Sequence, residues 1–119
     1  LVGPSSILLG MMASGLNGQN FAFNGYLPID NKERREALKQ LEKLSKANDQ
    51  TQLFIETPYR NNQMLESILS ALHPMTQLCI ACDLTLETQF IKTTSVSEWA
   101  KIKVDLQKRP TIFIIQAYY

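Results

Sequence analysis

Three short, almost continuously apolar runs constrain the fold of this chain more than any other feature. They span Leu53–Ile55, Leu78–Cys82 and Thr111–Ile115. Runs of this length are typical of strands that are covered on both faces of a sheet, whereas buried helices are longer. The sequence therefore predicts a sheet with buried inner strands, and the last run is expected near its centre.

The first apolar run leads directly into a sharp turn and a helix. Thr57 precedes a proline and is biased to extended backbone, whereas Pro58 has the fixed φ that suits a first helical turn. Glu56, Tyr59 and Arg60 are therefore expected where the strand ends, which is where open α/β sheets bind ligands. Apolar residues follow at helical spacing, namely Met64, Leu65, Ile68, Leu69 and Leu72.

Carboxylates follow two of the predicted strands. Glu56 ends the first run, and Asp83, Thr85 and Glu87 follow the second. An ionised Glu56 buried alone would cost several kcal/mol, so it is expected either to face a cleft or to pair with Arg60 as a helix cap. If the two strands are parallel, their ends line one edge of the sheet and both carboxylates belong to one cleft.

The remaining pattern predicts an α/β domain with a mixed, largely parallel sheet of about five strands and about four helices. Two further strands are expected at Phe21–Phe23 and Gln89–Thr93, with a loop over Gly25–Asp30. The helices are expected over about Ser6–Ser14, from Asp30 or Asn31 to Lys46, from Pro58 to the His73–Pro74 breaker, and from Ser95 or Ser97 through Val104. The first of these is apolar nearly all round, so it needs cover from this domain or from a neighbour.

Charge provides only a local signal. The formal net charge is +1, so nothing global favours a nucleic acid or an anionic lipid as the partner. Half of the lysines and arginines lie on the second predicted helix, where glutamates are interleaved with them. This is either a solvated helix face or, at its start, a contact for RNA phosphates through Lys32, Arg34 and Arg35.

Several classes of site are excluded by composition. A single histidine rules out a Ser/His/Asp system and a histidine-rich metal site, and no metal is expected. Cys79 and Cys82 lie three apart in a predicted strand and so point to opposite faces, which prevents a shared metal or an easy disulfide. The run Ile7–Ala13 is too short to span a bilayer. Two cysteines and no secretory leader favour a cytoplasmic setting.

Four motifs occur in a specific order along the chain. They are Gly3-Pro4-Ser5-Ser6, Phe23–Pro28 followed by Arg34 or Arg35, Phe54–Arg60, and Asp83-Leu84-Thr85. This order resembles the C-terminal half of the tetrapyrrole methylase superfamily of two-domain methyltransferases. Within it, the chain looks most like the branch that methylates a cytidine 2′-hydroxyl in small-subunit ribosomal RNA. Lys108-Arg109-Pro110 instead looks like the porphyrin and corrin enzymes, which leaves a tetrapyrrole acceptor as an alternative.

The resemblance implies that S-adenosylmethionine lies in a cleft between two domains, of which residues 1–119 form the C-terminal one. An N-terminal domain of the same protein would supply the other wall, so this domain alone is expected to be inactive. A homodimer is also implied, and a non-catalytic dimerisation or binding module is the remaining alternative.

The resemblance also implies roles for individual residues. Glu56, Asp83 and Glu87 are the candidates for the catalytic base that takes a proton from a ribose hydroxyl, and a group from the N-terminal domain is an equal alternative. Arg60 and Thr85 would form the substrate side of the cleft together with the basic helix start. The cofactor would be approached by Ser5, Ser6, Ile55, Glu56, Thr57, Pro58, Pro110 and Thr111.

Overall fold

The computed structural model describes residues 20–83, 87 and 89–117. These residues form one five-stranded sheet in the order β1-β2-β5-β3-β4. The strands are β1 (Phe21–Tyr26), β2 (Thr51–Ile55), β3 (Gln77–Cys82), β4 (Phe90–Ser95) and β5 (Thr111–Gln116). The helices are α1 (Asn31–Asn48), α2 (Asn61–Ala71) and the short α3 (Val96–Trp99), with a 3-10 turn at Pro58–Arg60 before α2.

The predicted five-stranded mixed α/β sheet is confirmed, but its largely parallel character is wrong. Only β1 and β2 pair in parallel, whereas β2–β5, β5–β3 and β3–β4 are antiparallel. A short connection joins β3 to β4, and short connections suit antiparallel neighbours because parallel ones need a long crossover. The described residues contain three α-helices, and the helix predicted over Ser6–Ser14 lies outside them.

Two element boundaries also differ from the predictions. β1 continues to Tyr26 because its pairing with β2 resumes beyond an irregularity at Gly25, whose φ is +66°. The predicted fourth helix keeps its N-cap, since Ser95 Oγ accepts from the Glu98 N–H at 3.3 Å. It ends at Trp99, and the following residues to Pro110 are irregular.

β2 and β3 end at the same edge of the sheet. Both run antiparallel to β5, which lies between them, so they run in the same direction. The register sets Ile55 opposite Ile112 and Cys82 opposite Thr111. The next residues, Glu56 and Asp83, therefore leave the sheet at the same edge, one on each side of β5. Two strand spacings separate their backbones by about 10 Å.

The sheet is buried on both faces, which explains the continuously apolar runs. Every residue of β2 and β5 is buried. The face toward the helices includes Phe54 and Phe113, whose rings stack with centroids 5.7 Å apart, and it carries the larger core cluster. The opposite face carries a second cluster of buried residues: Leu53, Ile55, Cys79, Ala81, Ile112 and Ile114.

The two cysteines lie on opposite faces, as predicted. Cys79 belongs to the second cluster and Cys82 to the first, and both are free thiols. Burial raises the pKa of each thiol above its ordinary value. They therefore serve as small apolar core residues.

Candidate functional site

The ends of β2 and β3 and the start of β5 form what we call the strand-exit edge. It carries two acid–arginine pairs. Glu56 pairs with Arg60 at the start of α2, and Asp83 pairs with Arg109 just before β5. The predicted cleft residues Glu56, Arg60 and Asp83 are thus brought to one edge. Arg109, which was not among the predicted site residues, joins them from the loop that ends at Pro110.

The Glu56–Arg60 pair is buried but incompletely hydrogen-bonded. Glu56 Oε1 accepts from the Thr57 N–H at 2.7 Å and lies 3.3 Å from Arg60 Nε. The Glu56 side chain is 1% exposed and that of Arg60 33%. Glu56 Oε2 and Arg60 Nε are nevertheless buried without a hydrogen-bond partner. The pairing expected from the sequence is confirmed, and it leaves one carboxylate oxygen with capacity for a donor.

The Asp83–Arg109 pair is the better aligned one. Arg109 Nε donates to Asp83 Oδ2 at 2.7 Å, and this hydrogen bond raises the pKa of Arg109 above its ordinary value. Asp83 has a φ of +53°, and its N–H donates to the carbonyl of Pro110 at 3.0 Å. A left-handed aspartate carries a conformational cost, so the surrounding contacts hold this turn in place.

The loop that presents Arg109 is fixed to the start of α2. The buried side chain of Asn61 donates through Nδ2 to the carbonyls of Leu106 at 3.2 Å and of Arg109 at 2.6 Å. The backbone N–H of Lys108 donates to the carbonyl of Pro58 at 3.0 Å. These bonds tie residues 106–109 to the turn that carries Glu56 and Arg60. The two acid–arginine pairs therefore share one rigid support.

Asp105 gives this loop a testable acid sensitivity. Hydrogen bonds from the Asn62 side chain and the Gln107 backbone lower the pKa of Asp105. A lowered folded-state pKa means that ionised Asp105 stabilises the fold above the unfolded value of about 3.9, and that this contribution is lost as the pH falls below it.

We therefore expect Asp105→Asn to lower the melting temperature slightly at pH 7, because the neutral amide accepts weaker hydrogen bonds from Asn62 and Gln107. Below about pH 4 the variant should lose less melting temperature than the wild type, because it has no proton to take up at this position. Circular dichroism melts between pH 2.5 and pH 7 measure the difference. If the melting temperatures of the two proteins fell equally as the pH was lowered, the role of Asp105 would be contradicted.

A depression of about 480 Å³ opens beside Glu56. Its exposed rim includes Tyr26 and Ile29, each 63% exposed, and Tyr59 on the adjoining turn is 67% exposed. Large apolar groups exposed together often mark an interaction site. The lining consists of Tyr26, Leu27, Pro28, Ile29, Glu56, Thr57 and Arg60.

Arg34 supports this depression and does not face solvent as expected. It is 3% exposed, whereas Lys32 and Arg35 on the same turn are exposed. Its guanidinium donates to the carbonyls of Pro28 at 3.2 Å and of Ile29 at 2.7 Å. The expectation that Arg34 contacts phosphate is therefore corrected, because the side chain is used to hold the loop that lines the depression.

The other predicted site residues are distributed as follows. Thr57, Pro58 and Pro110 lie at the strand-exit edge, and Ile55 and Thr111 are buried at the adjoining strand ends. Ser5, Ser6 and Thr85 lie outside the described residues. Over residues 20–83, 87 and 89–117, no group of three or more metal-ligating side chains comes together. In the same part of the chain no helix has the length and hydropathy needed to cross a membrane.

No protein-family model matches the chain. Its curated relatives include ribosomal RNA small subunit methyltransferase I of Escherichia coli O157:H7, which is 30% identical over 99% of the chain. The protein of the same name from Vibrio cholerae is 27% identical over 99% of the chain. The chain spans 41% of the length of each of these relatives.

Two solved structures have a similar fold. The methyltransferase CobJ superimposes with a TM-score of 0.57 and 17% identity, covering 92% of this chain and 46% of CobJ. The cobalt precorrin-4 methyltransferase CbiF gives a TM-score of 0.51 and 11% identity, covering 93% of this chain and 48% of CbiF. The resemblance expected from the four motifs is confirmed. Over nearly its whole length the chain is related to part of ribosomal RNA small subunit methyltransferase I, and it has the fold of tetrapyrrole methyltransferases.

Proposed function

We propose that the chain is the C-terminal domain of a two-domain methyltransferase that transfers a methyl group from S-adenosylmethionine to a cytidine 2′-hydroxyl in small-subunit ribosomal RNA. The observation that carries the proposal is the 30% identity with ribosomal RNA small subunit methyltransferase I across 99% of the chain. The strand-exit edge supports it, since it presents two fixed carboxylates, of which Glu56 lines an open depression. The 41% share of the relative's length leaves room for a second wall of the cleft.

The depression beside Glu56 has the chemistry to hold part of S-adenosylmethionine. Its walls are mainly apolar, and Glu56 carries an oxygen that lacks a hydrogen-bond partner. Bound S-adenosylmethionine supplies the reactive methyl group on a sulfonium. The residues of this chain would orient the cofactor and the acceptor, and together with the second domain they would exclude water.

Transfer to a ribose hydroxyl also requires a group that accepts its proton. Between Glu56 and Asp83, we assign this role to Asp83, because its side chain is 8% exposed, whereas that of Glu56 is 1% exposed and its Oε1 already accepts from Thr57. Arg109 would then hold Asp83 in place through the 2.7 Å hydrogen bond. The homodimer remains a prediction from the resemblance, and the cytoplasmic location remains a prediction from the cysteine content.

Methyl transfer by the full-length protein tests the proposal. Labelled S-adenosylmethionine would be incubated with undermethylated small ribosomal subunits and, separately, with a mixture of tetrapyrrole precursors. We expect label in the RNA at a cytidine, in a dinucleotide that resists alkaline hydrolysis because its 2′-hydroxyl is blocked. Label in the tetrapyrroles alone would support the macrocycle alternative, and label in neither acceptor would favour a non-catalytic module.

The exposed cations at the start of α1 should contribute to RNA affinity. We expect the double variant Lys32→Glu/Arg35→Glu to raise the KM for ribosomal subunits about tenfold or more, because two phosphate contacts would become repulsive. The salt dependence of binding should also become shallower. Filter binding and initial rates at several salt concentrations measure both effects.

Lys43→Glu is the matched control, since Lys43 is exposed farther along the same helix. An equal loss in this control would assign the effect to overall charge. An unchanged KM in the double variant would exclude this part of α1 from the RNA interface.

A further inference from the structure

The orientation of the Glu56 carboxylate is fixed through one oxygen only. Oε1 accepts from the Thr57 N–H at 2.7 Å and lies 3.3 Å from Arg60 Nε. Oε2 makes no hydrogen bond, although the side chain is only 1% exposed. A buried carboxylate oxygen without a donor is costly, so the chemistry of this position calls for an N–H or O–H group.

The surroundings of Glu56 restrict which donor fits. It lines the 480 Å³ depression together with Tyr26, Leu27, Pro28 and Ile29, of which Tyr26 is 63% exposed. Apolar and aromatic walls favour a flat ring, and a carboxylate acceptor favours a ring that carries an amino group. A carboxylate accepts in this way from the exocyclic amine of cytosine.

We infer that Glu56 Oε2 reads the exocyclic amino group of a nucleobase bound in this depression. This inference rests on the proposed function, which offers two sources of such a group. One is a cytosine of the RNA and the other is the adenine of the methyl donor. Both present an amine on a planar ring where uracil or hypoxanthine presents a carbonyl oxygen.

Binding of an amine at Oε2 requires a local side-chain movement, because this oxygen is closed to solvent. Oε2 is closed to solvent, and Arg60 is the partly exposed member of the pair, with an Nε that makes no hydrogen bond. The partly exposed Arg60 is the neighbour of Glu56 with room to move, so the inference includes an outward shift of its side chain on binding. The contact of Oε1 with Thr57 keeps the carboxylate from turning away.

Glu56→Gln provides a reciprocal test. The Thr57 N–H and Arg60 both need an acceptor, so the amide oxygen takes the place of Oε1 and the amide nitrogen takes the place of Oε2. The reading atom then becomes a donor, which suits a carbonyl oxygen and not an amine. The variant is therefore expected to invert the preference of the site.

The full-length protein would be titrated in two calorimetric arms that need no turnover. One compares S-adenosylhomocysteine with its inosine analogue, and the other compares RNA oligonucleotides with cytosine or uracil at the target position. In one arm the wild type should bind the amino form about tenfold more tightly than the oxo form, or better. In that arm Glu56→Gln should prefer the oxo form. The arm in which the variant's preference is inverted shows whether the nucleobase comes from the RNA or from the methyl donor.

Glu66→Gln, an exposed position on α2, is the matched control and should leave both preferences unchanged. Inversion cannot result from poor folding, and a thermal melt of each variant checks the fold separately. Wild-type protein that binds both forms equally in both arms would overturn the inference, as would a Glu56→Gln variant with the wild-type preference. RNA methylation by that same protein would leave the proposed function standing.

Discussion

Replacing Trp99 with alanine is expected to lower the free energy of unfolding by about 3–5 kcal/mol. The indole is fully buried, and its Nε1 donates to the carbonyl of Leu78 in β3 at 2.7 Å. Its ring also meets Phe90 of β4 edge to face, with centroids 6.3 Å apart. The four-residue α3 has little helical stability of its own, so this side chain anchors the segment between β4 and β5.

Urea denaturation followed by far-UV circular dichroism measures the loss, because Trp99 is the single tryptophan and its removal abolishes the fluorescence signal. Trp99→Phe is the matched variant. It keeps a ring in the core but loses the hydrogen bond to Leu78, so an intermediate loss is expected. A change below about 1 kcal/mol for Trp99→Ala would show that the surrounding core closes over the site.

The second large effect is expected on catalysis at Asp83. Asp83→Asn in the full-length protein should reduce kcat for RNA methylation about 100-fold or more, because a neutral amide cannot accept the hydroxyl proton. Arg109→Ala should also lower kcat, since the aspartate loses the partner that fixes it. Arg109→Lys should recover part of the activity, because it restores the charge but not the fixed geometry of the guanidinium.

Single-turnover rates at several pH values separate these roles. At each pH the loss in Asp83→Asn should exceed the loss in Arg109→Ala, because only the first variant lacks the proton acceptor. Glu98→Gln, an exposed carboxylate in α3, serves as the control. A wild-type kcat in Asp83→Asn would assign proton acceptance to another group.

The sequence predicted the buried strands because each is a local feature, an uninterrupted run of apolar residues between polar turns. It also predicted that Glu56 and Asp83 share an edge, since that required only a common direction for β2 and β3. The sequence did not predict the order in which the strands pair. The continuous apolar run predicted that β5 is central, and this is confirmed, but nothing local indicates that β2 and β3 are its two neighbours.

The arginines show where sequence reasoning fails for side chains. Arg34 lies among exposed cations at a helix start, and only the folded loop reveals the carbonyls of Pro28 and Ile29 that it binds. Arg109 meets Asp83 across 26 residues of sequence, so no spacing rule connects them. The only sequence signal for Arg109 was its position just before a strand predicted to be central. That position does not identify Asp83 as its partner.

The central position of β5 has a consequence for synthesis on the ribosome. Residues 111–116 pair with both β2 and β3, so the sheet stays in two unjoined parts until they leave the exit tunnel. Until then the nascent chain presents the unpaired edges of apolar strands, which other chains can capture. The two parts of the sheet can therefore join only once residues 111–116 have emerged, and a slow stretch of translation just before Thr111 would prolong exposure to aggregation and to chaperones.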